Sequence, residues 1–158
     1  MTTRIIRTRD PKAVECMIPH FTLPDGGDDP KKIFGARLVG QMQNSPESVN
    51  VLQAWRGDDL VGLMVATVSE SPFVWISQAW STLGNSTKIV DGMFVRLILW
   101  TLALGRLSLR AETSRDLKAF CRRFNFEPVS TIVEHRISPE VIESILDRGK
   151  EIIHGHLL

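Results

Sequence analysis

The sequence predicts a mixed α/β (α+β) fold in one domain spanning residues 1–158. Hydrophobic residues make up 43% and charged residues 23%, which is typical of a soluble globular chain long enough to bury a core. The predicted element order is β-α-α-β-β-β-α-β-α-β-α. Consecutive strands in the middle of the chain predict an antiparallel meander, and helices separate the strands that follow.

The first part of the chain predicts one strand and two helices. Arg4 to Thr8 alternates weakly, as a short strand does. Asp10-Pro11 and Asp29-Pro30 each combine an N-cap residue with a proline at the first helical position. The first helix is expected to end before Pro19. The second is expected to turn one apolar face inward, formed by Ile33, Phe34, Leu38 and Met42.

Three strands are predicted next, at Val49 to Trp55, Leu60 to Val68 and Phe73 to Trp80. Arg56-Gly57-Asp58-Asp59 has the residue types of a hairpin turn between the first two. Trp75 and Trp80 have opposite parity on the third strand, so strict alternation places them on opposite faces of the sheet.

The remaining elements alternate between helix and strand. A helix is predicted over Val90 to Leu104, with Gly105 as its C-terminal glycine. The next strand, Arg106 to Glu112, is expected to point Leu107, Leu109 and Ala111 inward. A short helix from Ser114, a strand from Pro128 to Ile137 and a terminal helix from Ser138 complete the order.

Composition and charge argue against several classes of protein. The net charge is +1, so no basic field points to nucleic acid. The N-terminus has no apolar signal segment, and Met93 to Leu104 is too short to span a bilayer. The two cysteines do not form a disulfide framework. A cytoplasmic protein without membrane or nucleic-acid partners is expected, and the histidines and cysteines share no metal-ligand spacing.

Two segments carry a family resemblance. Ile98 to Gly105 is a long helix ending in glycine, followed at once by the strand Arg106-Leu107-Ser108-Leu109. Ser114 to Val129 runs SRDLKAFCRRFNFEPV. Together they resemble the GNAT superfamily of acyl-CoA-dependent N-acetyltransferases, whose short helix reads roughly N-x-x-A-x-x-F-Y-x-x-x-G-F-x-P. The resemblance implies a mixed, mostly antiparallel, twisted sheet with helices on both faces.

The resemblance also implies acetyl-CoA as cosubstrate, in a cleft between two central strands. In the family the pyrophosphate sits on N–H groups at the start of the long helix, where orphan donors and the helix dipole favour an anion. The family's loop, Q/R-x-x-G-x-G/A, matches Ser81 to Ser86 in one register, with Gly84 in the first glycine place. Counting back from Gly105 instead puts Lys88 and Val90 in the glycine places.

The implied cofactor-binding residues are therefore Gly84, Asn85, Ser86, Thr87 and Lys88, with Ser114 and Arg115 at the short helix. Ser114 occupies the place of the family's asparagine and caps a helix equally well. Arg115 would lie near the adenosine phosphate. Its alternative interpretation is a solvated helix face shared with Lys118 and Arg122.

The family's catalytic tyrosine, which protonates the leaving thiolate, falls on Cys121, and the chain contains no tyrosine. Cys121 or water would supply the proton, unless Cys121 is a small core residue. Glu112, at the C-terminal end of a strand, is the first candidate for the general base. Glu70 and His135 are the alternatives.

The acceptor would be an unidentified amine of a small molecule or a protein. The Gly26-Gly27 loop and the helix after it occupy the place where the family varies to select its acceptor, with Phe21, Phe34 and Met42 shaping the site. Alternation on the strands Phe73 to Trp80 and Pro128 to Ile137 would allow sheet-edge pairing into a homodimer.

The alternative function is a GNAT-like protein that has lost catalysis, similar to small bacteriophage proteins of this type. Its role would be binding, host-directed or structural in a virion. The departures at Ser86 and Cys121 from the family pattern favour this alternative. Most chains of this architecture are enzymes, which favours the transferase by fold analogy.

Overall fold

The computed structural model describes residues 2–23, 26–68, 72–82, 87–112, 126–129 and 132–140, together with 142, 143 and 147. Its strands are β1 (Thr3–Thr8), β2 (Val49–Arg56), β3 (Asp59–Val68), β4 (Val74–Ser81), β5 (Ser108–Glu112), β6 (Glu127–Val129) and β7 (Ile132–Arg136). Among the described residues, its long α-helices are α1 (Asp28–Asn44) and α2 (Thr87–Ala103), and Pro139, Glu140, Ile142, Glu143 and Asp147 are also helical. A 3-10 helix spans Pro11–His20, and a 3-10 turn spans Pro46–Ser48.

The strands form a seven-stranded sheet in the order β1-β2-β3-β4-β5-β7-β6. Neighbours are antiparallel except for β4 and β5, which are parallel. This arrangement confirms the mixed, mostly antiparallel sheet. The β2–β3 turn contains Gly57 with a φ of 62°, which agrees with the predicted hairpin.

The predicted strand Pro128 to Ile137 is wrong in one respect, because it is a hairpin of two strands. Pro128 and Val129 of β6 pair antiparallel with Val133 and Ile132 of β7, so the chain reverses between the two strands. The sequence from Val129 to Ile132 contains no glycine or asparagine, which are the residues that usually signal a hairpin. As a result β7 lies between β5 and β6, and β4 lies between β3 and β5. The strand predicted at Phe73 to Trp80 is therefore an interior strand, whereas Pro128 and Val129 lie on β6, an edge of this sheet. The homodimer itself stays a prediction.

One face of the sheet is covered by α2. The helix buries Met93, Leu97 and Trp100 against strand residues such as Met64 and Leu109. Gly105 has a φ of 70°, and its N–H donates to the Leu102 carbonyl, which confirms the glycine-terminated helix.

Two boundary details around α2 differ from the sequence prediction. The helix begins at Thr87, three residues before Val90, because Ile89 in its first turn is itself buried in the core. Leu107 is 63% exposed rather than inward, since it precedes the first residue of β5 and the alternation of the strand does not reach it.

The opposite face carries α1 and the 3-10 helix. Leu38 and Met42 of α1 pack with Val14 and Met17 of the 3-10 helix onto β2 and β3. Ile33 does not join them and is 55% exposed. Its position directly before Phe34 turns it by about 100° around a helix of 3.6 residues per turn. Helices on both faces of the sheet are therefore confirmed.

The first predicted helix has a different geometry and a different end from those expected. The Asp10 carboxylate accepts from the Lys12 N–H at 3.0 Å, as an N-cap does. The segment then continues as a 3-10 helix through Pro19 to His20. Buried Val14 and Met17 are three residues apart, a spacing that both helix types share, so the apolar pattern did not distinguish them. The second helix begins at Asp28, with Gly27 at its N-cap position.

Candidate functional site

The parallel strands β4 and β5 pair over a short distance only. Val74, Trp75 and Ile76 of β4 pair with Leu109, Arg110 and Ala111 of β5. Beyond Ile76, β4 continues to Ser81, and β5 continues to Glu112 on its other side against β7. The two central strands therefore separate after Ile76, and backbone groups of β4 beyond this point have no partner on β5 within the described residues.

A β-bulge marks the same position on β4. Val65 of β3 pairs with Gln78, whereas Ala66 pairs with Ile76, so Ser77 is the extra residue. The Ser77 hydroxyl donates to the Val65 carbonyl at 3.3 Å. Val65, which lies opposite the bulge on β3, points into the core beneath α1. The residues next to the bulge therefore face the side of the sheet that α1 covers.

The bulge corrects the prediction that Trp75 and Trp80 lie on opposite faces. Trp75 pairs with Thr67, and Trp80 pairs with Leu63. Thr67 and Leu63 are four residues apart on β3 and share one face, so both tryptophans lie on the α1 side. The extra residue shifts the in-and-out alternation of the side chains by one position. The prediction failed because it assumed an uninterrupted strand.

The first turn of α2 follows the far end of β4. Gly62 pairs with Ser81, and a Cβ at Gly62 would lie 2.9 Å from Ile89 Cγ2 of α2. The first turn of α2 therefore packs closely on the open end of the β3–β4 pair, where β3 begins and β4 ends. Thr87 and Lys88, predicted in a phosphate-binding loop, are instead the first two residues of α2.

The chemistry at this helix start fits an anion. The first turn of α2 contains no acidic residue, and Lys88 is exposed there. Orphan N–H groups and the dipole of a long helix attract negative charge at this end.

Several sequence-predicted site residues cannot be placed with them. Glu112 is the last residue of β5 and its backbone pairs with Ile132 of β7. The positions Gly84, Asn85, Ser86, Ser114, Arg115 and Cys121 lie outside the described residues, as does the alternative base Glu70. Their roles stay predictions.

A clamp holds the segment after the 3-10 helix against β4. The buried Gln78 side chain accepts from the Thr22 N–H at 2.8 Å and donates to the Thr22 carbonyl at 3.0 Å. Next to this contact, the ring of His20, two residues before Thr22, stacks on Trp80, two residues after Gln78. Their ring centroids are 3.9 Å apart. Burial, followed by the nearby Lys31 ammonium, lowers the pKa of His20 below its ordinary value.

Sequence reasoning missed this clamp. The sequence held one indication of it: Gln78 and Trp80 are two residues apart on a predicted strand, so their side chains lie on the same face of the sheet. Their partners are 56 and 60 residues away along the chain, taking Gln78 with Thr22 and Trp80 with His20. No local pattern identifies such partners. The clamp fixes the chain segment at the place where the resemblance puts acceptor selection.

A groove of about 530 Å³ lies next to the bulge, between α1 and the sheet. Its helix wall includes Arg37, Gln41 and Asn44, and its sheet wall includes Thr67 and Ser77. Phe34 also lines the groove and packs edge-on against Phe21. Of the three residues expected to shape the acceptor site, Phe34 therefore lines a groove, whereas Phe21 and Met42 are buried core residues.

No protein-family profile and no curated protein sequence matches the chain. Solved structures do. The PaiA N-acetyltransferase of Thermoplasma acidophilum in complex with coenzyme A is 12% identical, with a TM-score of 0.64 over 86% of this chain and 99% of that one. Ard1 from Thermoplasma volcanium is 13% identical, with a TM-score of 0.65 over 87% and 99%.

An acetyltransferase of the GNAT family from Staphylococcus aureus Mu50 is 10% identical, with a TM-score of 0.63 over 87% of this chain and all of that one. At these identities the likeness establishes the fold. The chain therefore has the fold of the GNAT acetyltransferases, which confirms the fold that the sequence resemblance implied.

Two features are absent from the residues that the structure describes. Within those ranges no helix is both long and apolar enough to cross a bilayer. In the same part of the chain, no three His, Cys, Asp or Glu side chains come together as a metal site would require.

Proposed function

We propose that this protein is an acyl-CoA-dependent N-acyltransferase that transfers an acetyl group to an amine. The observation that carries the proposal is the separation of β4 from β5 after Ile76, beside the bulge at Ser77. A gap between two parallel central strands leaves backbone donors and acceptors open within a sheet. A linear amide-containing ligand can take the place of the missing strand pairing.

Each part of the cleft would bind a different part of the cosubstrate. Backbone groups of β4 beyond Ile76 would hydrogen-bond the pantetheine amides, and the start of α2 with Lys88 would hold the pyrophosphate. Acetyl-CoA supplies a thioester as the activated acyl donor. The solved PaiA structure contains coenzyme A, which supports this assignment by likeness of fold.

Proton transfer is assigned to residues that the sequence pattern offered. Glu112 would accept the proton of the acceptor amine, directly or through water, from its position at the end of β5. Cys121 or water would protonate the leaving thiolate in place of the family's tyrosine. These two assignments rest on the resemblance and on chain position.

The first experiment measures acetyl-CoA binding by calorimetry and thermal shift. A ligand at about 100 times its dissociation constant raises the free energy of unfolding by roughly 2.7 kcal/mol, which a melting curve resolves. We expect binding in the wild type and weaker binding in Lys88→Glu. The matched control is Arg9→Glu, an equal charge change at an exposed residue beyond the edge strand β1.

Two results would contradict the proposal. One is the absence of a thermal shift at millimolar acetyl-CoA. The other is equal weakening by Lys88→Glu and Arg9→Glu, which would mean that binding follows net charge rather than the start of α2. Release of free CoA thiol with a panel of amines then tests transfer itself.

A second candidate function is a GNAT-like protein without catalysis that binds a partner, acts on a host or belongs to a virion. The absence of tyrosine from the chain favours it, because the family's general acid is then missing. A protein that binds CoA but transfers no acetyl group to any amine, and whose Cys121→Ala variant is indistinguishable from the wild type, would support this candidate.

A further inference from the structure

The groove beside the bulge has a defined place and chemistry. It lies between α1 and strands β3 and β4, on the face of the sheet opposite α2. Ser77 belongs to both the groove and the bulge, so the groove reaches the point where β4 and β5 separate. A molecule in the groove therefore has access to the cleft from the side opposite the long helix.

The charge in the groove is one-sided. Among the described residues that line it, Arg37 is the only charged one, and none of them is a carboxylate. Within the described residues, the Arg37 side chain has no hydrogen bond or ion pair. An arginine fork is a planar pair of donors that suits a carboxylate. Arg37 is an exposed residue of this groove, and its free guanidinium can bind an anionic group of a ligand.

The rest of the lining adds polar and apolar contacts. Gln41 lies four residues after Arg37, on the same side of α1, and offers an amide. The groove also reaches Asn44 and Ser45, where α1 ends without a basic residue in its last turn. The negative end of the helix dipole favours an ammonium group there. Phe34 and Leu38 provide apolar contact for a short side chain.

We infer that the acceptor amine is an amino-acid-like molecule, carrying a carboxylate that Arg37 binds in this groove. The inference rests on the proposed acyltransferase activity and specifies the acceptor. The Ser77 hydroxyl donates to the Val65 carbonyl, so its oxygen lone pairs stay available to accept from an amine N–H. Arg37 and Gln41 would hold the carboxylate end.

The test compares amines with and without the carboxylate. The probes are L-leucine against isoamylamine and L-lysine against cadaverine, titrated into the full-length protein and followed by NMR. Transfer from acetyl-CoA is measured on the same panel. We expect the amino acids to bind at least about tenfold more tightly than their decarboxylated partners, as a charge-assisted hydrogen bond implies.

Two variants locate the site. Arg37→Gln should weaken amino-acid binding about tenfold and leave isoamylamine unchanged. Its control is Lys32→Gln, which removes one charge at an exposed α1 residue outside the groove. Gly40→Leu should block all probes, because a Cβ at Gly40 meets no atom within 4 Å and the new side chain enters the groove. Its control is Ala36→Leu, also exposed on α1.

The outcomes separate the acceptor inference from the activity. Transfer to isoamylamine as fast as to leucine would keep the acyltransferase and overturn the carboxylate-bearing acceptor. Amino-acid binding that Arg37→Gln weakens, in a protein that does not bind CoA, would keep the groove and overturn the activity. Failure of every probe to bind at millimolar concentration, or an Arg37→Gln variant with wild-type affinity, would overturn the inference.

Discussion

The two faces of the sheet are attached to their helices in different ways. On the α2 face the buried apolar residues of the helix, from Ile89 to Trp100, form one core with the sheet that extends as far as Leu109 on β5. On the α1 face two buried glutamines contribute hydrogen bonds. Gln53 donates to the Ala13 carbonyl at 2.9 Å, and Gln78 binds both backbone groups of Thr22.

This difference separates stability from selectivity. A continuous apolar contact stabilises without fixing one geometry, whereas paired amide hydrogen bonds fix the position of a chain segment. The α2 face therefore supports the sheet and the helix start to which the CoA pyrophosphate is assigned in the proposed function. The α1 face holds a particular segment over β4 and leaves a groove beside it, where the acceptor is proposed to bind.

The largest effect is expected in the α2 core. Leu97→Ala should lower the free energy of unfolding by about 2–5 kcal/mol, because Leu97 is fully buried and its loss leaves a cavity. Leu99→Ala on the same helix is the control, since Leu99 is 49% exposed. Urea denaturation of both variants measures the difference. Equal losses in the two variants would show that α2 is not seated on the sheet as described.

Removing the clamp is expected to cost less. Gln78→Leu leaves the Thr22 N–H and carbonyl without their partner and should lower the free energy of unfolding by about 1–3 kcal/mol. Acceptor binding should weaken as well, since the segment after the 3-10 helix is no longer fixed. Gln43→Leu, on the exposed side of α1, is the control. A variant as stable as this control would refute the clamp.

Two glycines of α1 should respond in opposite directions. A Cβ at Gly35 would lie 2.9 Å from Ile18 Cγ1, so Gly35→Ala is expected to destabilise by about 1 kcal/mol. A Cβ at Gly40 is unobstructed, so Gly40→Ala should stabilise by about 0.5–1 kcal/mol through helix propensity. Thermal melts of both variants provide the measurement, and a shift of the same sign in both would contradict the packing of α1.

The smallest effect concerns pH. The pKa of folded His20 is lowered, chiefly by burial, so the unfolded chain binds the proton more readily. The contribution of His20 to stability is present above its unfolded pKa of about 6.5 and is lost as pH falls through the lower folded value. We expect His20→Phe, which can still stack on Trp80, to lose less stability than the wild type over that acidic range. The melting temperatures of the wild type and of His20→Phe are measured at several pH values. An equal dependence on pH in the two proteins would disprove the lowered pKa of His20.

Much of the fold was predictable because its signals are local. The hairpin turn at Gly57 and the helix end at Gly105 depend on residues a few positions apart, and both appear as expected. The reversal of the chain between Val129 and Ile132 was missed because an apolar sequence does not show where one strand ends and the next begins. The exposure of Ile33 was missed because an apolar residue type does not show which side of a helix faces the core.

The site was less predictable than the fold. Thr87 and Lys88, expected in a phosphate-binding loop, begin a helix instead, and their role in binding stays a prediction. Arg37, Gln78 and His20 were not singled out as site residues. Arg37 lines a groove between α1 and the sheet, and Gln78 and His20 take part in contacts between β4 and the segment after the 3-10 helix. Pairing at such distances along the chain is set by the tertiary fold, which one sequence without its relatives does not reveal.

The bulge at Ser77 makes β4 two half-strands that differ in phase. Before it, Val74 and Ile76 point into the α2 core; after it, Gln78 and Trp80 point to the α1 side. One inserted residue thus ends the pairing with β5 and also turns the second half-strand toward the segment that contains His20 and Thr22. If Ser77 were paired in regular alternation instead of bulging, Gln78 and Trp80 would face the long helix. The separation of β4 from β5 and the turn of the second half of β4 toward the α1 side therefore occur at the same point of the chain.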